Sequence, residues 1–398
     1  MKIGINASFL RKPGTGIGQV TANFLKKLAE YYVSGSMYQR DTQYKTHNAK
    51  YVLYSEEPVD WELPENFEVK SFLPKWWKRD DIMRKWLWEK QVAHEATKDG
   101  CDVFLSLYQS ATVFKPIIKH IMIVHDIIPR LFPEYRGNFR QAFHWRMVER
   151  GIQKAEHIVA ISQHTQSDLV REFGISEKKV SVAYLDSAPQ FYTIPSETSV
   201  NDTLKKYGLT KGYIYHGGGL EVRKNSGKLL RAYAKLVLKH TQSLGSARND
   251  KVPPLVISGK IFPKTNQLAT DVEGLVKELG LEENVKLLGF VPDQDLPSLY
   301  RGALFFVYPS LYEGFGLPVL EALRMGLPVL TSDTSSLKEV GGEAALYVDP
   351  QNITGLALKM ELLTMNETLR AALVSKSTAQ TAQFSWENFT RKILGHFT

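Results

Sequence analysis

Cysteine is almost absent: Cys101 is the sole one in 398 residues. That excludes an internal disulfide and a cysteine-based metal cluster, and it fits a reducing, intracellular setting. Long apolar runs are missing too, and none approaches the roughly 18–20 residues of a membrane-spanning helix. The N-terminus, MKIGINASFL, lacks the apolar core of a secretory signal and reads as a strand. A cytoplasmic chain is therefore expected, for which Asn-x-Ser/Thr triplets such as that at Asn352 mean little. Acidic excess is also lacking: Lys and Arg number 50 against 42 Asp and Glu, a formal charge of +8. Such a balance favours anionic partners, whether nucleic acid, lipid or phosphorylated small molecules. The basic residues are scattered and no nucleic-acid motif is present, so no nucleic-acid partner is expected.

What is present is the composition of a globular protein, 43% hydrophobic and 23% charged. The length is too great for one ordinary core, so two domains are expected. Short β-branched runs alternate with helical patterns. KIGINA, YVLY, DVFLSL, IMIVHD, HIVAIS and VSVAYL fall in the first half; YIYHGG, PLVISG, VKLLGF, LFFVYP, PVLTS and ALYVD fall in the second. Near-continuous apolar strands imply a sheet covered on both faces, and their alternation with helices implies βαβ units. The pattern restarts near residue 213, after the Ser/Thr/Pro-rich stretch SAPQFYTIPSETSVNDT, which reads as a linker. The expected fold is α/β, with two doubly wound, Rossmann-like domains at 1–190 and 191–383. Residues 384–398 place Phe384, Trp386, Phe389, Ile393 and Leu394 near helical spacing, as in a closing amphipathic helix whose partner is not legible.

Residues 75–91, KWWKRDDIMRKWLWEKQ, hold four of the seven tryptophans, interleaved with Lys and Arg. A basic and aromatic helix suits a peripheral membrane contact at the inner face. The alternative is a helix packing its tryptophans into its own domain, and Asp80, Asp81 and Glu89 dilute the charge.

The unusual residues cluster at strand ends. RKPGTGIGQ follows the first strand, HDIIP follows IMIV, HGGGLEVRKN follows YIY, SGK follows PLVI, and PSLYEGFGLP follows LFFVY. Open α/β sheets bind ligands outside the carboxyl ends of their strands, so two sheets facing an interdomain cleft would gather these segments. Gly14, Gly16 and Gly18 allow close approach of a phosphate at a helix start, or simply a tight turn. Arg223, Lys224 and Lys260, at neighbouring strand ends, can neutralise a diphosphate, or be solvated loop cations. His125 can donate to a substrate oxygen or do acid–base work, and with Asp126 it can equally form a structural capping pair.

In YEGFGLPVLEALRMG, Pro318 suits a first helical turn, and Gly326 and Pro328 end the helix. That places Glu321 in the first turn and Glu313 on the preceding loop. Both carboxylates border the N–H groups of Phe315, Gly316 and Leu317. N–H donors can hold phosphate or sugar oxygens while carboxylates accept hydroxyls, a coherent site for a phosphorylated sugar compound. Glu321 would otherwise merely complement the helix dipole. Asp293-x-Asp295 has a metal-binding look, but Asp295 precedes an amphipathic helix and reads as its N-cap. No metal is assigned.

With those residues laid out, the chain resembles the retaining glycosyltransferases of family 4, of GT-B fold, over nearly its whole length. The most specific match is E-x7-E, Glu313 to Glu321. The bacterial mannosyl- and rhamnosyl-transferase-like members also carry a TGIG loop (Thr15–Gly18), HD plus IP (His125–Pro129), RKN (Arg223–Asn225) and FSW (Phe384–Trp386), in this order. The resemblance implies that the second domain binds a nucleoside diphosphate sugar. Glu313 and the backbone of Gly314, Phe315, Gly316 and Leu317 would hold the sugar, and Glu321 the ribose. Phe290 and Val291 would join the nucleotide site. Lys224, with Arg223 and Lys260, would neutralise the diphosphate, approached by the Gly16–Gly18 turn. His125 would contact the sugar or β-phosphate, and Asp126 would lie towards the acceptor. No metal or cofactor is implied, and the final helix is expected to return to the first domain. One departure stands out: many members carry an arginine about six residues before the RKN lysine, where this chain has Gly217, Gly218 and Gly219. LWEKQ at 87–91 loosely matches a family helix, which shifts Trp88 towards packing.

The resemblance favours GDP-mannose as donor, with UDP-glucose or another UDP-sugar behind it, and a glycan or lipid-linked acceptor. A nucleotide-sugar epimerase, a glycoside hydrolase using Glu313 and Glu321 and a basic nucleic-acid module are the competing classes.

Overall fold

The computed structural model describes residues 1–33, 49–59, 61–72, 81–115, 117–243, 252–262 and 266–397. Two compact units emerge: Met1–Leu185 with Phe384–Thr398, and Asp186–Gln383.

Among the described residues, unit 1 holds a seven-stranded parallel sheet ordered β3-β2-β1-β4-β5-β6-β7. The strands are β1 Lys2–Asn6, β2 Lys50–Tyr54, β3 Phe67–Lys70, β4 Val103–Ser106, β5 Lys119–Val124, β6 His157–Ala160 and β7 Val180–Val182. Unit 2 repeats the plan with six parallel strands ordered β10-β9-β8-β11-β12-β13. These are β8 Tyr213–His216, β9 Leu255–Ser258, β10 Val285–Gly289, β11 Ala303–Tyr308, β12 Val329–Ser332 and β13 Ala345–Val348. The strand order reverses between β1 and β4 in unit 1 and between β8 and β11 in unit 2, the switch points at which such sheets bind ligands. Every strand expected from the sequence is present. β3 was not expected: it is a four-residue edge strand, Phe-Glu-Val-Lys, with no fully buried position and so no continuous apolar run.

The expected boundary at 190/191 lies at Leu185/Asp186 because Asp186 is tied into unit 2. Its buried carboxylate accepts hydrogen bonds from Arg324 (2.6 Å) and from the Tyr192 hydroxyl (2.9 Å). The stretch that reads as a linker is in fact ordered. Phe191 is buried edge-on to Tyr300. Ser196 caps the helix Glu197–Lys206, its side chain accepting from Ser199 N. The Ser/Thr richness that suggested a linker is partly this cap.

The final helix, Trp386–Leu394, begins with Ser385 as its cap. It packs on the helix Gly16–Val33 of unit 1, where Phe389 meets Phe24 edge to face at 6.1 Å and Tyr31 donates to Glu387 O. The basic and aromatic segment is only partly described, and Trp76 and Trp77 lie outside the described residues. In the helix Asp81–Lys98, Trp88 is buried, stacked on Phe72 at 4.3 Å and donating to Asn6 Oδ1 at 3.1 Å. Arg84 and Glu89 are buried too. In the described part of this segment Arg84, Trp88 and Glu89 are thus buried, whereas Met83, Lys90 and Gln91 are exposed. No helix among the described residues is long and apolar enough to cross a membrane.

Candidate functional site

The switch point of unit 2 carries the densest chemistry. β8 runs into the glycine turn 217–219, and β11 into the loop 309–316. The two loops are stitched together: Leu311 N donates to Arg223 O, and Asn225 Nδ2 donates to Pro309 O (3.0 Å) and Pro350 O (2.8 Å). Asn225 closes the short 3-10 turn Val222–Lys224 in a left-handed conformation, φ 63°. Gly218 has φ +90°, and a Cβ there would lie 2.7 Å from Pro318 Cγ. The left-handed backbone and this close approach both favour glycine at the position.

Arg223 and Lys224 converge on Glu313, which is buried. Lys224 Nζ donates to Glu313 Oε1 at 2.7 Å, and Arg223 donates to Oε2 at 2.9 Å. The Tyr308 hydroxyl (2.8 Å) and Ser310 Oγ (2.7 Å) also donate to Oε1. Arg223 faces Glu221 at 2.8 Å with its Nε and donates to Tyr312 O. Burial pushes the Glu313 carboxyl up. Arg223, Lys224 and the hydrogen bonds outweigh it and hold the group at about 2. Lys224 is displaced downward: its burial exceeds the pull of Glu313, and Arg223 adds repulsion. The asymmetry has a cause. The carboxylate has two cations and two hydroxyls around it, whereas the ammonium has one close carboxylate. Both Glu313 oxygens are thus engaged by donors that favour the carboxylate form.

The helix Leu317–Arg324 starts from Gly316, φ +111°, with Pro318 at its second position. It ends as the sequence indicates. Gly326 N donates to Leu323 O and Leu327 N to Ala322 O, the paired bonds of a Schellman motif. Glu321 is the fifth helical residue and no acidic residue lies in the first turn, so the expected first-turn position is corrected. Its complement to the dipole is correspondingly weaker. Glu321 is half-buried and accepts from the Tyr300 hydroxyl at 3.1 Å. Burial, aided by Asp293, raises its carboxyl to about 7, against the hydrogen bond from Tyr300 and the charge of Lys224. The two glutamates are therefore driven in opposite directions by their surroundings.

Gly314, Phe315 and Gly316 are buried at this helix entrance, with Leu317 half-buried. Ser336 Oγ fixes the loop by sharing its hydroxyl between Glu313 O (2.9 Å) and Phe315 O (2.7 Å), while Glu313 N donates to Ser335 Oγ. Lys260 sits on the turn beside Gly219, exposed over the Phe262 ring at 5.6 Å; among the described residues the cations on Glu313 are Arg223 and Lys224. Just past β10, Phe290 is 73% exposed whereas Val291 is buried. Asp295 occupies the N-cap position of the helix Leu296–Gly302 but makes no side-chain cap bond. It accepts instead from Lys206 Nζ (2.6 Å) and the Tyr207 hydroxyl (2.7 Å), which corrects its expected role. Among the described residues no three His, Cys, Asp or Glu side chains are grouped to hold a metal ion.

In unit 1, His125 follows β5 and is buried, with Nε2 2.9 Å from Leu107 O. A carbonyl only accepts, so Nε2 carries the proton and Nδ1 the lone pair. Burial holds the imidazole down at about 4, the bond to Leu107 opposing. Asp126 Oδ1 accepts from Ile128 N at 3.0 Å, a local turn that starts the short helix Ile128–Leu131. Each residue thus has a backbone partner of its own. Gly16 opens the helix Gly16–Val33 with nothing within 4 Å of a would-be Cβ. Gly18 is different: a Cβ there would lie 2.0 Å from Lys12 O, so chain packing alone demands glycine.

Tyr308, Ser310, Ser335, Ser336 and Tyr300 escaped the sequence reading. Ser310 and Tyr308 lie within five positions of Glu313, so their spacing was a usable signal. Ser336 and Tyr300 arrive through the fold and gave none.

The sequence and the fold match known proteins. A family model for glycosyl transferases group 1 matches residues 203–380, and one for glycosyltransferase family 4 matches residues 51–185. The O-antigen chain mannosyltransferase B of Escherichia coli is 31% identical over 73% of this chain and 74% of its own length. The serotype-specific mannosyltransferase WbdA of the same species is 32% identical over 70% of this chain, but the match spans only 33% of WbdA. Among solved structures, WaaG, a glycosyltransferase involved in lipopolysaccharide biosynthesis, aligns over 100% of both chains with a TM-score of 0.71 at 16% identity.

Proposed function

Since the chain belongs to the glycosyl transferases group 1 family and is a glycosyltransferase of GT-B fold, we propose that it transfers mannose from GDP-mannose to a hydroxyl of a glycan or lipid-linked acceptor, with retention and without a metal. The mannosyltransferase relatives support the sugar. The observation that carries the reading is the buried Arg223–Lys224–Glu313 cluster at the switch point of unit 2.

In this reading Arg223 and Lys224 present positive charge to the diphosphate as the C1–O bond breaks, and Glu313 holds both cations in place. The cost of fixing them is met on folding, so no reorganisation is needed during reaction. Glu321 accepts from the ribose hydroxyls, and exposed Phe290 offers a ring to the base. The backbone of Gly314 to Leu317 holds the sugar. The acceptor oxygen bonds to C1 on the face the diphosphate leaves, and its proton passes to the departing phosphate oxygen. By the family resemblance Gly16, His125 and Asp126 contact substrate. His125 does so as a neutral imidazole, and Asp126 is assigned to the acceptor. Lys260 is assigned to the outer phosphate.

The reading is tested by incubating the chain with radiolabelled GDP-mannose, in EDTA, and an extract of lipid-linked glycans. Transfer of label supports it. Transfer from UDP-glucose but not GDP-mannose replaces the donor, and transfer abolished by EDTA removes metal independence.

A further inference from the structure

The helix Phe139–Lys154 of unit 1 has two unlike faces. Trp145, Val148 and Ile152 enter the core. On another face Phe139 and Phe143, one turn apart, are 84% and 49% exposed and stack at 6.5 Å. A capping box fixes where this helix begins: Asn138 Oδ1 accepts from Gln141 N, and Gln141 Oε1 accepts from Asn138 N. The phenylalanines are therefore held outward rather than left on a fraying end.

Beneath them lies a cavity of about 420 Å³ lined also by Arg130, Arg136, Arg146 and Glu149. Arg130 is offset by Glu149 and Glu172 at 3.7 and 3.8 Å. Glu149 also accepts from Trp145 Nε1. Arg136 and Arg146 have no ion-pair partner among the described residues, so the cavity is cationic. Two neighbouring exposed rings form an apolar patch that does not help to close the core, beside two guanidinium groups available to an anion.

We propose that this face docks on an anionic phospholipid surface, with Phe139 and Phe143 entering the headgroup boundary and Arg136 and Arg146 binding lipid phosphates. Charge complementarity selects this occupant. Guanidinium groups pair bidentately with phosphate, and apolar insertion plus basic charge are the two signals that stable peripheral binding needs. The proposal does not rest on the donor assignment.

The test is flotation of the full chain with vesicles of phosphatidylcholine, with and without one-third phosphatidylglycerol. Binding is expected only to the anionic vesicles. R136Q/R146Q should weaken it roughly thirtyfold, at about one decade or less per basic residue, and F139S/F143S about tenfold. Melting temperature and transfer to a water-soluble acceptor should stay unchanged in both. Equal binding by wild type and both variants overturns the proposal. So does absent vesicle binding in which inorganic phosphate alone raises the melt through Arg136 and Arg146, since the site then takes a free anion. A concentration-dependent dimer lost in F139S/F143S, again without vesicle binding, overturns it in favour of a second copy.

Discussion

Lys224 Nζ lies 2.7 Å from Glu313 Oε1 in the interior of unit 2, at the point where the strand order of the sheet reverses. The pair links fold and chemistry, because neither residue tolerates burial alone. Removing one partner of a buried pair leaves the other charge uncompensated, typically at about 3–5 kcal/mol. Glu313→Gln should therefore lower stability by that order as well as stop transfer, and a plain loss of activity in Glu313→Ala would be ambiguous. Glu313→Gln with Lys224→Met should recover most of the stability and none of the transfer. Urea unfolding of the four members of this cycle, beside a transfer assay, separates the two roles.

Glu321 behaves oppositely. Its carboxyl is raised to about 7 in the folded chain, so the folded state holds the proton more tightly than the unfolded state. Its contribution is full below the unfolded value near 4.5 and is lost as pH rises through about 7. Glu321→Gln should therefore be more stable than wild type at pH 8, by up to about 2–3 kcal/mol, and equal to it at pH 4. Melts at the two pH values check this. If Glu321 accepts from the ribose, the same variant binds donor more weakly at pH 8.

His125 should remain neutral across the working range. Burial holds it at about 4, so its imidazole NMR shifts should be flat from pH 8 to pH 5. No limb of the rate profile in that window should belong to it. A titration near pH 6.5 would mean that water reaches the ring.

The two glycines of the first turn should respond differently to alanine. At Gly18 a Cβ meets Lys12 O, so Gly18→Ala should cost about 1–3 kcal/mol through overpacking, read as a lower melting temperature. Gly16 faces open space, and Gly16→Ala should fold normally. If the turn approaches the diphosphate, that variant loses kcat/KM without losing stability.

Much of the fold was legible because parallel strands buried on both faces leave apolar runs that little else produces. β3 hid because an exposed edge strand carries no such run. The helix Glu197–Lys206 hid because its capping serine looks like linker composition. Glu313 and its cations were legible as motif residues. Their mutual contact was not: residues 223–224 and 313 meet only once β8 and β11 are paired. Asp295 shows the reverse error. Its position before a helix was read correctly, but the fold brings Lys206 and Tyr207 to it, and an ion pair replaces the cap.

The most direct measurement is calorimetric titration of the full chain in EDTA with GDP-mannose, beside the folded Glu313→Gln/Lys224→Met variant. Saturable binding to wild type is predicted, with loss of at least about tenfold in the variant, the scale of one charged hydrogen bond. Equal affinity in the two proteins would contradict the placement of the diphosphate on this cluster.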